Sequence, residues 1–215
     1  MIRVIDIFLS IFAITFLMPF FVIIMILLRF SGEGEIFFFQ KRVGENGIFF
    51  NVIKFATMLK DSPNIGTGTI TIDKDPRILP IGHFLRKSKI NELPQLINIF
   101  MGDMSFIGQR PQAERCYNAF SEDFKQVYIK HKPGLSSLAS VYYIDEENML
   151  ASQKNPMDYY DNTIAPHKEV LDSWFLENLS LGLYIKTFIV TILCMLGLNK
   201  ITAMKIMGYD NEKII

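Results

Sequence analysis

The sequence predicts an α-rich α+β fold, with a long apolar N-terminal helix, a small β-hairpin and a series of helices in one compact globular domain. Residues 4–30 contain only four polar residues. The Glu45-Asn46-Gly47 segment lies between two short runs rich in Phe, Ile and Val, which is typical of a hairpin turn. Further along the chain, Pro and Gly separate segments with helical periodicity.

The composition limits the class of protein. The chain has 215 residues, of which 50% are hydrophobic, and its mean hydropathy of +0.24 is high for a soluble domain. The formal net charge is zero, which disfavours nucleic-acid binding because such proteins carry a basic footprint. The two cysteines are far apart and fit a reducing environment better than a disulfide framework.

The apolar N-terminus admits two topologies. As one straight helix, residues 4–30 would be about 40 Å long, which is enough to cross a hydrocarbon core of about 30 Å. Pro19 removes a helical hydrogen bond, and each half alone would be too short to cross. Arg3 and Arg29 flank the run, so charge gives little preference for one orientation. The alternatives are a kinked transmembrane helix and a re-entrant helix; a cleaved signal peptide is disfavoured.

The remaining elements follow from turn signals and periodicity. We expect strands at 36–39 and 48–55, an irregular loop at 59–76, helices at 79–89, 94–101 and 113–131, an extended segment at 135–144 and a helix within 155–177. Residues 178–198 carry one charge, Lys186. This last segment is either a second membrane span or a helix lying in the membrane interface.

Residues 82–112 are the most informative stretch. A basic cluster precedes Asn91 and Glu92, Pro94 is expected to open a short helix, and Gly102 is expected to cap it. Cations, a carboxylate and a helix start in one place suggest a metal-assisted phosphate site. The alternative is a capped surface helix with ordinary solvated charges.

This stretch resembles the core motif of the bacterial monotopic phosphoglycosyl transferases, also called the bacterial sugar transferase family. Segments 38–47, 54–58, 75–77 and 132–135 match further family motifs in the same order. The resemblance implies a Pro-broken re-entrant helix in residues 1–31, with both ends cytosolic. It also implies a cytosolic domain in residues 32–215, whose interfacial amphipathic helices rest on the bacterial inner membrane.

The resemblance also implies an activity. Family members transfer a sugar-1-phosphate from a UDP-sugar to polyprenol phosphate, usually undecaprenyl phosphate, giving a polyprenyl-diphosphate-sugar and UMP. This is the first membrane step of bacterial glycan assembly, and it requires Mg²⁺. The expected partners are the UDP-sugar, the polyprenol phosphate and membrane lipid, with no nucleic acid. A homodimer or a partner glycosyltransferase stays open.

The family motifs assign candidate site residues. Glu92 matches the glutamate of the catalytic Asp-Glu dyad, as a Mg²⁺ ligand or an acid or base, and Asn91 occupies the position of the nucleophilic Asp. The residues expected to contact substrate are Arg86, Arg110, Lys54, Arg77 and Pro111. For the arginines the alternative is a structural ion pair, which we prefer for Arg77. For Lys54 the alternative to a substrate contact is a solvent-exposed position on a strand.

Several departures from the family pattern fall at sensitive positions. Asn91 replaces the nucleophilic Asp, and a carboxamide cannot form an acyl phosphate. Ala56 replaces an arginine, Gln109 replaces a proline, and residues 135–140 differ from the family's nucleotide-contacting loop. Three interpretations follow: a working transferase that uses Glu92 or direct attack by the lipid phosphate, a catalytically silent relative that binds substrate or a partner, or an engineered Asn91. The intact motifs favour the first.

Overall fold

The helices and strands follow the predicted order along the chain. The computed structural model describes residues 1–65, 71 and 75–209. The strands are β1 (Phe37–Val43), β2 (Phe49–Phe55), β3 (Ser105–Ile107) and β4 (Gly134–Ser136). The α-helices are α1 (Ile2–Arg29), α2 (Pro80–Lys87), α3 (Gln95–Met101), α4 (Glu114–Asn118), α5 (Glu122–Tyr128), α6 (Leu138–Tyr142), α7 (Glu146–Ala151), α8 (Pro156–Tyr159), α9 (Ala165–Glu177), α10 (Leu181–Met195) and α11 (Lys200–Met207).

The N-terminal helix α1 continues through Pro19 as one helix of 28 residues. The proline does not interrupt this helix, because it removes one bond from the ladder and the neighbouring turns keep theirs. Within the part of the chain that the structure describes, α1 is the one helix long and apolar enough to cross a membrane. Helix α10 has 15 residues and is about 22 Å long, which is too short to span.

One face of α1 packs on the rest of the protein. Asp6 is 1% exposed, and its Oδ1 accepts hydrogen bonds from Ser105 Oγ (3.1 Å), Phe106 N (3.1 Å) and Tyr184 Oη (2.6 Å). Arg3 donates to the backbone carbonyls that end α3. Further along α1, the ring of Phe21 meets Phe55 of β2 edge to face, with the ring centroids 5.5 Å apart. The opposite face of α1 exposes large apolar side chains.

The hairpin β1–β2 is antiparallel, from the Phe37↔Phe55 pair to the Val43↔Phe49 pair. Strand β1 extends further than the predicted 36–39 because its polar residues keep pairing up to the turn. The outer edge of β2 is covered by Asn98 of α3, which donates from Nδ2 to Asn51 O (2.8 Å) and accepts at Oδ1 from Ile53 N (2.9 Å). The carboxamide thus takes the place of a neighbouring strand.

Two predicted segments are corrected. The single helix expected at 113–131 is two helices, because Ser121 caps α5 by accepting from Phe124 N (3.2 Å) and starts a new helix. The extended segment expected at 135–144 ends at Ser136, where Ser137 caps α6 in the same way. The predicted helices at 79–89, 94–101 and 155–177 are confirmed, with a π-helical turn before α9. Of the predicted loop at 59–76, residues 66–70 and 72–74 lie outside the described residues.

The parallel pair β3–β4 depends on two glycines. A Cβ on Gly134 would lie 2.1 Å from the Gly108 nitrogen, and a Cβ on Gly108 would lie 2.6 Å from the Lys132 carbonyl oxygen. The two strands can approach this closely only without side chains there. This close approach brings the loop after β3, which carries Arg110, beside Leu135 of β4.

We expect Asp6→Ala to lower the free energy of unfolding by about 3 kcal/mol, because it leaves buried donors of β3 and α10 without their acceptor. Thermal unfolding of the detergent-solubilised protein measures the loss. Asp123→Ala removes an exposed carboxylate and serves as the matched control. Equal melting temperatures for the two variants would contradict the role assigned to Asp6.

Candidate active site

A cavity of about 390 Å³ lies between the hairpin, the α2–α3 connection, β4 and the helices α6, α7 and α10. Of the residues that the sequence singled out, those lining it are Lys54, Arg86, Asn91, Glu92, Arg110 and Pro111. Positions that are far apart along the chain therefore share one cavity. Arg77 is not among the described residues that line it.

Asn91 and Glu92 lie in a 3-10 turn, Ile90–Glu92, between α2 and α3. Lys89, just before the turn, has a left-handed backbone with φ 57°. Such a conformation is costly for a side-chain-bearing residue and fixes the path of the chain here. Pro94 precedes α3 rather than opening it, and Gly102 caps α3 with φ 101° as predicted. Because α3 has only seven residues, the side-chain charges dominate over any helix dipole in attracting anions.

Glu92 forms an ion pair with Arg110, whose Nη2 donates to Glu92 Oε1. Burial alone would raise the pKa of Glu92, but the charges of Arg110, Lys54 and Lys89 outweigh it and hold that pKa well below its usual range. The lowered pKa favours the carboxylate form of Glu92, which suits a metal ligand or a base better than a general acid. Arg110 also donates from Nη1 to the Leu135 carbonyl at 3.2 Å, which fixes the guanidinium against β4.

Arg86 and Lys54 add two further cations to the lining of the cavity. Arg86 donates from Nη2 to Glu147 Oε1 at 2.5 Å. Lys54 has no ion-pair partner within the described ranges, and burial lowers its pKa to about 7, although Glu92 partly opposes this shift. The alternative of an exposed strand lysine does not fit, because the partly buried Lys54 lines the cavity.

Asn91 occupies the wall of the cavity beside Glu92. It is 5% exposed, and its Oδ1 is buried with no hydrogen-bond partner among the described residues. A buried amide oxygen without a partner is costly, and such atoms commonly meet a ligand or an ion. The structure thus leaves a buried oxygen atom without a partner among the described residues, at the position where the resembling family is expected to have its nucleophilic Asp.

Arg77 has a structural environment. Its guanidinium binds Asp75 through Nη2–Oδ2 at 2.6 Å and Nε–Oδ1 at 2.8 Å, and Nη1 donates to the carbonyls of Ser62 and Ile65. Both charged side chains are buried. These contacts fit a structural ion pair rather than the substrate contact that the family motifs imply for Arg77.

Two of the departures from the family pattern lie behind the cavity wall. Gln109 is fully buried, and its Nε2 donates to the carbonyls of Tyr128 (2.8 Å) and His131 (2.9 Å) at the end of α5. Ala56 is buried and does not line the cavity. Pro111 does line it, and its carbonyl accepts from Arg42 Nη1 at 3.1 Å. Asn91 and the 135–140 segment, which contributes Leu135 and Ser136 to the lining, are therefore the departures that lie in the cavity itself.

The structure adds residues that the sequence did not assign to the site. Lys168 of α9 pairs with Glu146 of α7, with Nζ–Oε distances of 2.9 and 2.8 Å. Asp172, one turn further along α9, is buried, and burial raises its pKa to about 6. Both residues line the cavity, and no local motif marks them because α9 reaches the site only through tertiary packing.

The expected Mg²⁺ needs oxygen donors in the cavity. In the described part of the chain, no group of three or more His, Cys, Asp or Glu side chains is arranged to hold a metal ion. Mg²⁺ often takes only one or two protein ligands, with water and substrate phosphates completing its shell. Asn91 Oδ1 and the Glu92 carboxylate fit that arrangement as neighbouring oxygen donors.

We expect binding of a UDP-sugar to weaken as pH rises through about 7, because Lys54 attracts the diphosphate only while it is protonated. The charge of this diphosphate diester does not change over that range. If bound ligand raises the pKa of Lys54 by about one unit, affinity falls roughly tenfold between pH 6 and pH 9. Titration calorimetry measures the change.

Lys54→Arg keeps its charge and should bind with little pH dependence, whereas Lys54→Met should bind weakly throughout. A Lys54→Arg profile identical to that of the unaltered protein would refute this assignment.

Comparison with known proteins places the chain. The family model described as bacterial sugar transferase matches residues 1–197. The exopolysaccharide production protein ExoY of Sinorhizobium fredii is 33% identical over 150 residues, covering 63% of this chain and 66% of ExoY. An undecaprenyl-phosphate glucose phosphotransferase of Komagataeibacter xylinus is 31% identical over 144 residues, covering 65% of this chain and 27% of that protein.

A UDP-galactose-lipid carrier transferase of Erwinia amylovora is 31% identical over 182 residues, covering 78% of this chain and 34% of that protein. The matched regions span less than two thirds of the length of these relatives. The family match covers most of the chain, including both the apolar helix and the cavity. The chain is a member of the bacterial sugar transferase family.

Proposed function

We propose that the protein transfers a sugar-1-phosphate from a UDP-sugar to undecaprenyl phosphate and so initiates polysaccharide assembly. The observation that carries the proposal is the gathering of Lys54, Arg86 and Arg110 around Glu92 in one cavity of a protein with an exposed apolar helix. Two anionic reactants need cations to approach each other, and a lipid-bound reactant needs an enzyme at the membrane. The names of two relatives, an undecaprenyl-phosphate glucose phosphotransferase and a UDP-galactose-lipid carrier transferase, also support the proposal.

The reaction exchanges one bond at the β-phosphorus of the UDP-sugar. A bond forms from an attacking oxygen to that phosphorus, the bond to the bridging oxygen breaks, and UMP leaves with the bridging oxygen. In a two-step route the first attacking oxygen belongs to a carboxylate, and the lipid phosphate then displaces that carboxylate. In a one-step route the lipid phosphate attacks directly.

The residues present favour the one-step route. Asn91 cannot form the acyl phosphate, and the Glu92 carboxylate is held by Arg110 with a strongly lowered pKa, which makes it a weak nucleophile. Glu92 and the Asn91 oxygen are instead suited to holding Mg²⁺, which when bound offsets the charge of the diphosphate. Lys54 has no ion pair within the described residues and can bind a phosphate oxygen directly. Arg86 must first leave Glu147, and Arg110 must first leave Glu92.

The same geometry supports a monotopic topology with both ends of α1 on the cytosolic side of the inner membrane. Asp6 and Arg3, near the start of α1, bind β3, α10 and α3, whereas Phe21, near its end, packs on the hairpin. In a spanning helix these two regions would lie toward opposite faces of a core about 30 Å thick, and one cytosolic domain could not contact both. Residues 1–31 then form the anchor and residues 32–215 the cytosolic domain.

Cysteine labelling tests this topology. We expect a cysteine appended before Met1 and a Ser31→Cys substitution to react equally with a membrane-impermeant maleimide in inside-out vesicles, because both sites face the cytosol. The background carries Cys116→Ser and Cys194→Ser, and right-side-out vesicles serve as the control. Labelling of the two sites from opposite faces would establish a spanning helix instead.

Turnover of a UDP-sugar panel with undecaprenyl phosphate and Mg²⁺ tests the activity. We expect Glu92→Gln to lower the rate by roughly a hundredfold or more while keeping the melting temperature, because it removes the anionic centre of the cavity. Glu177→Gln, at an exposed position, is the matched control. Chelation of Mg²⁺ should also stop turnover.

The Asn91→Asp variant distinguishes the one-step route from the two-step route. The measurement is the mass of the intact protein during turnover. We expect turnover by the unaltered chain without a covalent adduct, and a phosphosugar adduct only in Asn91→Asp. An adduct at Glu92 in the unaltered chain would show that the nucleophile has moved by one residue. Turnover by Asn91→Asp alone would make the chain a silenced transferase, and no turnover by either would favour a binding role.

A further inference from the structure

Helix α10 has an exposed apolar stripe that the catalytic proposal does not use. The exposed side chains along the helix and just beyond its end are Leu181, Ile185, Ile189, Ile192, Leu193, Met195 and Leu196. Its opposite face is buried against β3, α6 and α11 through Leu183, Tyr184, Thr187 and Val190. The stripe is thus a surface feature of a helix whose other side is fixed in the core.

The C-terminal end of α10 also forms part of the cavity wall, through Thr191, Cys194 and Met195. Met195 is 53% exposed and so belongs both to the wall and to the apolar stripe. Met195 therefore joins the cavity lining to the exposed apolar surface of α10. Ile144 and Leu135 also line the cavity and add apolar surface to it.

Hydrogen bonds join this apolar wall to the cations. Thr191 Oγ1 lies 2.8 Å from Ser136 Oγ, which ties α10 to β4. The neighbouring residue Leu135 accepts a hydrogen bond from Arg110 through its carbonyl. The Arg110 guanidinium thus binds Leu135, and the next residue of β4, Ser136, is the one that contacts α10. Arg110 is therefore linked through β4 to the part of α10 that lines the cavity.

We propose that the α10 end of the cavity is the entrance groove for the isoprenoid chain of a polyprenyl phosphate. The phosphate binds at Arg110, and the first isoprene units lie along Thr191, Cys194 and Met195. This inference rests on the proposed function and assigns one of its two substrates to a specific wall. A UDP-sugar has no apolar chain to place there, and a diacyl phospholipid carries two chains at a bulkier head group.

Photocrosslinking tests the groove. The probe is a polyprenyl phosphate with a diazirine on the isoprene unit nearest the phosphate, added to the full chain in nanodiscs. We expect adducts within residues 188–196 and at Leu135, which excess unlabelled polyprenyl phosphate suppresses and phosphatidylglycerol does not. Adducts confined to other segments would overturn the proposal, and equal suppression by phosphatidylglycerol would assign the groove to phospholipid.

Variants of the wall give a second measurement. Met195→Glu places a carboxylate where the chain would pass, and we expect it to reduce crosslinking roughly tenfold. Cys194→Phe fills the groove without adding charge and should do the same. Ile189→Glu adds the same charge to the exposed stripe away from the cavity and is the matched control. Unchanged crosslinking in both wall variants would overturn the proposal.

This readout is independent of turnover. Crosslinking at α10 in a protein that transfers no sugar phosphate would refute the proposed activity and retain the groove. Turnover with crosslinks elsewhere would retain the activity and refute the groove.

Discussion

The buried Asp6 carboxylate is the interaction on which the arrangement of the molecule depends. A carboxylate within an otherwise apolar helix is costly to bury unless donors surround it, and here the donors come from β3 and from α10. Strand β3 leads into the loop that carries Arg110, and α10 contributes to the wall of the cavity. The same contact that fixes the apolar helix therefore also fixes two of the elements that build the site.

The charges of the cavity are balanced in pairs contributed by different parts of the fold. Glu92 offsets Arg110, Glu147 offsets Arg86 and Glu146 offsets Lys168. Among the described residues, Arg42, Lys54 and Lys89 line the cavity outside this pairing, and the lowered pKa of Lys54 follows from its burial. A site built in this way is stable when empty and still presents cations to an incoming diphosphate, since each arginine can exchange a carboxylate for a phosphate oxygen.

Much of the fold and the centre of the site could be predicted because their signals are local. Gly102 signals the end of the short helix that follows Asn91 and Glu92. The Asn46-Gly47 turn signals the hairpin. The helix caps at Ser121 and Ser137 were not predicted, because a single serine within a run of apolar or polar residues is a weak signal for a helix start. Lys168 and Asp172 could not be found from the sequence, because α9 meets the cavity only after the whole domain has packed.

The carboxamide of Asn98 has a consequence for the behaviour of the protein at a crowded membrane surface. A two-stranded hairpin with aromatic residues such as Phe39 and Phe49 exposed would ordinarily be a template for cross-chain pairing. Along residues 51–53 the outward backbone donor and acceptor are already satisfied by Asn98, so a strand from a neighbouring molecule finds no free ladder there. One side chain of α3 thereby protects the hairpin from intermolecular sheet growth.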